Sequence, residues 1–143
     1  MKRLASVLSR KRTREAGTTM AEFALVASAF FMLSFGIMEM ASAVMAYNSV
    51  GDAAREAVRY AVVHSPTSAN PATTAQIQQV AINVAPNLGI RQSQVTVSFP
   101  TDSNLPSMKD AEVQISYPYS ISIPFISAMS VTLTTTSRML VSQ

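Results

Sequence analysis

Hydrophobic and polar positions change their pattern twice along this chain. From Phe23 to Met38 sixteen consecutive residues are uncharged and mostly apolar. From Val50 onward the pattern becomes periodic: Ala54, Ala57, Val58, Ala61 and Val62 share one helical face, and Asp52, Arg55, Glu56 and Arg59 share the opposite one. No helix-breaking cluster separates the two segments. The pattern therefore predicts one long helix, roughly Thr19 to Val63, lipid-facing first and amphipathic later. Gly51 predicts a bend, because glycine weakens a helix interior by about 1 kcal/mol relative to alanine. Asp52–Arg55 and Glu56–Arg59 are opposite charges three residues apart, worth a few tenths of a kcal/mol each.

Beyond the helix, Ser65 to Pro71 reads as a loop, with two prolines among small polar residues. Residues 73–85 return to helical period, with Ile77, Val80, Ala81, Val84 and Ala85 on the apolar stripe and Pro86 and Gly89 as stop signals. The period then shortens to two. Gln94 to Phe99 is a strand candidate. Ala111, Val113, Ile115 and Tyr117 alternate with Glu112, Gln114 and Ser116, and Ser130 to Val141 reads as a long threonine-rich strand. Pro100 to Ser107 joins the first two strands as a loop. The expected fold class is α+β: a long N-terminal helix and a second short helix packed on a small antiparallel sheet.

Length decides what the apolar run can do. Sixteen residues give roughly 24 Å of helix, and a hydrocarbon core of about 30 Å needs around 20. Counting Thr18 to Ala21 and Met40 to Ala46 supplies the difference. Glu22 and Glu39 then sit near the two edges of the span, about 25 Å apart. Carboxylates near an interface cost far less than the roughly 3 kcal/mol charged at mid-bilayer. A buried core helix is the competing reading, but the chain offers too few other strong apolar segments to surround it. Gly36, Ala41, Ser42, Ala43 and Ala46 are small, which suits close helix–helix approach in lipid.

Charge then sets direction. Six of the eleven basic residues, Lys2, Arg3, Arg10, Lys11, Arg12 and Arg14, precede Gly17. The positive-inside rule places that end in the cytoplasm and the remainder across the membrane. Net charge is +3, yet residues 18–143 carry five basic and seven acidic side chains. A nucleic-acid footprint is therefore excluded.

Candidate chemistry is sparse. The chain has one histidine, no cysteine, no glycine-rich phosphate loop and no carboxylates at a telling spacing. No catalytic constellation, cofactor site or metal site is expected. Asp102, Asp110 and Glu112 lack an oxygen-ligand motif for calcium. His64 reads as a helix-end residue near the C-terminal dipole. Tyr117, Tyr119 and Phe125 read as core and rim rather than a binding platform. Without cysteine, the exported part has no disulfide and must be stabilised by burial.

Two places invite proteolytic processing. Ala41-Ser42-Ala43 follows the apolar run, where a secretory signal is cut. Gly17-Thr18 precedes it, where glycine allows extended backbone at little cost and the helix is not expected to have begun. Cutting at the second place leaves a new amine on Thr18 and a carboxylate, Glu22, as the fifth residue after the glycine.

That arrangement, KRTREAG followed by TTMAEFALV, resembles a type IV prepilin signal. EFALV, FGIMEM and NSVGDAAREAVRYAVV sharpen the resemblance to the TadE-like minor pseudopilins of the tight-adherence (Flp, type IVb) pilus system. It is most specific over residues 17–63, and residues 111–142 resemble the family's C-terminal strands only loosely. The family often has proline where this chain has Ser28, which puts a kink there in doubt.

The resemblance implies a pilin-like fold and cleavage between Gly17 and Thr18 by a membrane-embedded prepilin peptidase. It implies that Glu22, with Phe23 beside it, registers subunits, the carboxylate meeting the Thr18 amine of a neighbour. Glu39 lies in a matching segment and is expected to make an interfacial or interhelical contact. The implied partners are the peptidase, other pilins and pseudopilins, and the inner-membrane assembly platform. The expected organisation is a leader at 1–17, a transmembrane segment at 18–47, an amphipathic continuation at 48–64 and a small extracytoplasmic domain at 65–143. The expected place is the inner membrane, in a single pass, with incorporation into a surface pilus as a further step. The alternative is an uncleaved, signal-anchored extracytoplasmic binding domain.

Overall fold

The structure is a computed structural model. It describes the backbone of residues 2–101, 109–124 and 127–141, and their side chains from Gly17 onward. Helix α1 runs Lys2–Val63, 62 residues or roughly 93 Å at 1.5 Å per residue. Its C-terminal end matches the sequence pattern and its start does not. The extended backbone expected at Gly17 is replaced by helix. Leucine, arginine, lysine, glutamate and alanine dominate the segment before it and are strong helix formers. Propagating across one glycine costs only about 1 kcal/mol. The same reason carries helix without interruption through Gly51.

At its far end α1 stops at Val63, and the His64 amide donates to the Tyr60 carbonyl at 3.0 Å. The His64 ring stacks on Tyr60 with centroids 4.2 Å apart, and its Nδ1 lies 3.2 Å from the same carbonyl. The histidine thus closes the helix end, as its position suggested.

Helix α2, Thr74–Val84, begins with a capping box. Thr73 accepts from the Gln76 amide, and the Gln76 side chain accepts from the Thr73 amide at 2.8 Å. Ile77, Ala81 and Ala85 are buried as the stripe predicted, whereas Val84 stays exposed. A 3-10 turn at Pro86–Leu88 follows. Gly89 ends it in the left-handed region at φ 61°, the one glycine here that needs its freedom.

Strands β1 (Val95–Ser98), β2 (Lys109–Ile121) and β3 (Met129–Val141) form an antiparallel sheet in the order β1-β2-β3. β1 covers only residues 112–115 of β2. Pro118 lies beyond that cover, where the missing N–H does no harm to a central ladder. Glu112 stands opposite Arg138, and their side chains pair at 2.7 Å.

The core lies where the amphipathic half of α1 meets α2 and the sheet. Val50, Ala53, Ala54, Ala57, Val58 and Ala61 supply the α1 side; Ile77, Ala81, Val95, Val113 and Ile115 face them. Alanine dominates the helix face, so the sheet approaches closely. A Cβ added to Gly51 would stand 4.0 Å from the Thr135 methyl of β3. Asp52–Arg55 forms at 2.7 Å on the solvent side. The second expected pair, Glu56–Arg59, is not among the ion pairs of the described residues.

Candidate assembly face on the membrane helix

The apolar stretch of α1, from Gly17 onward, emerges from this small domain largely uncovered. An eighteen-residue window of mean hydropathy 1.8 is long enough to cross a membrane, and none of it is buried within the chain. Phe23 is 71% exposed and Leu25 73%. A core helix of a soluble domain would be covered on most sides, so this surface requires lipid or other subunits. Polar groups on it are handled locally. Ser28, Ser34, Ser42 and Ser49 each donate to the carbonyl four residues back, at 2.7 to 3.0 Å. Ser28 therefore continues the helix where a proline would remove a hydrogen bond.

The residues singled out in the sequence fall into two groups. Gly17, Thr18, Glu22 and Phe23 cluster within two turns at the start of the apolar stretch. Gly17 has open surroundings, with nothing within 4 Å of an added Cβ. Glu22 is exposed, and no described side chain bonds to it. It lies one helical turn past Thr18, on the same face.

Glu39 is different. Its Oε1 accepts from the Tyr119 hydroxyl at 3.2 Å and from the Ser122 amide at 3.3 Å. The contact is helix to sheet, closing the far end of the β2–β3 hairpin onto α1. Partial burial, and then the carboxylate it faces, push the Tyr119 phenol above its usual 10.0. The sequence reads Tyr119 as core or rim and says nothing of Ser122; their pairing with Glu39 spans 80 and 83 residues, beyond the reach of short-range pattern. The available signal was a lone mid-helix glutamate together with a tyrosine pair in the uncharged second half of β2.

Among the described residues, no three histidine, cysteine, aspartate or glutamate side chains come together as a metal site. Glu112 is engaged by Arg138. Asp102 and Phe125 lie outside the described residues.

Residues 17–59 match the model of a family described as TadE-like protein. The match begins at Gly17, takes in Glu22 and Glu39, and ends four residues before α1 does. It spans less than a third of the chain and lies wholly within α1. No match is found among curated proteins or among solved structures.

Proposed function

We propose that this chain is a pilin-like, non-catalytic subunit, a minor pseudopilin, acting in assembly of a tight-adherence type IVb pilus. α1 crosses the inner membrane once, with the basic leader in the cytoplasm and the sheet outside. A prepilin peptidase cuts between Gly17 and Thr18. Glu22 then registers the subunit by pairing with the new Thr18 amine of a neighbouring pilin, with Phe23 packing beside it. Assembly proceeds on an inner-membrane platform. The organisation that goes with this is leader, transmembrane segment, amphipathic continuation and extracytoplasmic domain, with boundaries at residues 17, 47 and 64.

The observation that carries the reading is a coincidence of position. The TadE-like match starts at the glycine that separates the basic leader from the uncovered apolar surface. An exposed carboxylate with no partner among the described side chains stands one turn past Thr18. In a low-dielectric setting an isolated carboxylate is costly and a paired one much less so, so a neighbour's amine is a physically apt partner. Because Gly17 is helical, the peptidase must first unwind about a turn. Glycine lowers the cost of doing so.

The test is intact mass and N-terminal sequencing of the protein from membranes that contain a matching peptidase. Wild type should begin at Thr18. Gly17→Ala should remain full length, and since nothing within 4 Å opposes the added carbon, a folding failure cannot explain that result. Glu22→Ala should be cut but should fail to co-assemble. A full-length wild-type chain, or one beginning near Ala43, would favour the anchored binding domain instead.

A further inference from the structure

Nearly every side chain of a spanning helix is apolar, so hydrophobicity cannot mark the face that meets another helix. Side-chain size can. Sorted by size, the apolar stretch of α1 has one unmixed face. Phe23, Phe30, Ile37 and Val44 recur every seven residues, and Val26, Leu33, Met40 and Tyr47 follow each of them by three. These alternating steps of three and four are the a and d positions of a heptad, held for twenty-five residues. All eight are large, whereas only six of the seventeen residues between them are large and apolar. The positions flanking the seam are small: Ala27, Ser34 and Ala41 on one side, Ala29, Gly36 and Ala43 on the other. Large knobs between small flanks form a surface that a second helix can enter with knobs of its own. Acyl chains have no such period.

The structure leaves this seam open. Each of its eight side chains is at least half exposed, from 50% at Tyr47 to 71% at Phe23. The sheet and α2 sit on the other side of α1. Half a turn from the seam stand Ser28, Phe35, Ser42 and Ser49, and the last two line a groove with Tyr119 and Leu88. A partner helix can therefore lie along the whole seam without meeting these elements. Beyond Tyr47 the heptad passes to Gly51 and Ala54, which are buried, so the seam ends where the core begins. At roughly 100 Å² each, eight half-free large side chains offer on the order of 800 Å² per helix, the share each partner gives to a stable interface. The Ser34 hydroxyl on the flank is already returned to the Phe30 carbonyl at 2.8 Å.

We propose that this seam pairs α1 with α1 of a second copy in the membrane, parallel, in register and with a left-handed crossing of about 20°. A second copy is the occupant because copies that enter one bilayer in one orientation stand at the same depth. At equal depth each a or d side chain meets its own counterpart. The seam tells a helix from lipid by shape and not by polarity. Pairing at equal depth also differs from the proposed meeting of Glu22 with a neighbour's Thr18 amine, which requires an offset of four residues, about 6 Å. The inference rests on the reading that α1 spans the membrane.

The chain contains no cysteine, so single substitutions report alone. The full chain is reconstituted at low density in phosphatidylcholine vesicles, with one cysteine placed in turn at each position from 30 to 40, and oxidised with copper–phenanthroline. Disulfide yield should peak at Phe30→Cys, Leu33→Cys, Ile37→Cys and Met40→Cys, with troughs at Phe35→Cys and Met38→Cys. Gly36→Leu, added to Ile37→Cys, should lower the yield about tenfold by holding the helices apart. Nothing in the described chain lies within 4 Å of a Cβ added at Gly36, so a folding failure does not explain that loss. Ala24→Leu, away from the seam, should leave the yield unchanged. A flat yield across the scan, peaks at Phe35→Cys and Met38→Cys, or an undiminished yield in Gly36→Leu overturns the pairing. Cysteines protected from a membrane-impermeant maleimide yet giving no disulfide assign the seam to lipid, which overturns the pairing and keeps the span. Labelling of Ile37→Cys by that maleimide sinks the span itself, and the pairing with it.

Discussion

Replacing Thr135 by valine should make the sheet–helix unit more stable. Thr135 lies in β3 opposite Ile115, on the face that meets α1 at Gly51. Its Oγ1 is buried and has no hydrogen-bond partner among the described residues. A buried hydroxyl left unpaired costs about 1–3 kcal/mol, and a methyl in its place adds about 0.8 kcal/mol of burial. The unfolded chain already shields part of that methyl, so the expected gain is about 2 kcal/mol, the low end of the combined range. Valine also keeps the β-branched shape that the strand favours. With a slope of about 1 kcal/mol per molar for so small a unit, the urea midpoint should rise by about 2 M. The assay is pulse proteolysis of the full chain in detergent micelles across a urea series. Thr136→Val supplies the control: it is the same change on the same strand, on the exposed face, and should stay within about 0.5 kcal/mol of wild type. If Thr135→Val gains no more than Thr136→Val, the hydroxyl is satisfied and the reasoning fails.

Two other expectations concern the head. Thr73→Ala removes the N-cap and one half of the capping box of α2, and should lower the same midpoint by the equivalent of about 1 kcal/mol; an unchanged midpoint would mean that α2 does not unfold with the sheet. The Tyr119 phenol titrates above its usual 10.0, so its contribution is fully present below about pH 10 and is lost as pH rises through the higher folded value. Ultraviolet difference titration of phenolate, wild type against Glu39→Gln, should show the Tyr119 step at lower pH in the variant, and coincident curves would break the link to Glu39.

Much of this architecture was legible because short-range periodicity encodes it. The amphipathic stripe from Val50 to Ala61 identified the core face of α1, and the helical period of residues 73–85 located α2. The alternation from Ala111 to Tyr117 identified the central strand. Helix start was misread because glycine was treated as a boundary, while the helix-forming residues around Gly17 outweigh one unfavourable position. What periodicity cannot reveal is which distant segments meet. The Glu39–Tyr119 contact joins residues 80 positions apart, and it depends on the angle at which β2 crosses α1. The candidate site was legible only as a cluster of residues in sequence: Gly17, Thr18, Glu22 and Phe23 are neighbours on one helix.

The serines of the apolar stretch of α1, Ser28, Ser34 and Ser42, with Ser49 just beyond it, have a consequence for movement between environments. Each hydroxyl is already matched to a carbonyl of its own helix. A helix settled in this way makes no polar demand on whatever surrounds it, so acyl chains and the flanks of other helices are nearly interchangeable solvents for it. Exchanging one for the other leaves its internal hydrogen bonding untouched. Glu22 is the exception on that surface. Its carboxylate can discriminate between surroundings to which the rest of the apolar helix is indifferent, and under the proposed registration role that one side chain would set where a rod with no other polar demand comes to rest.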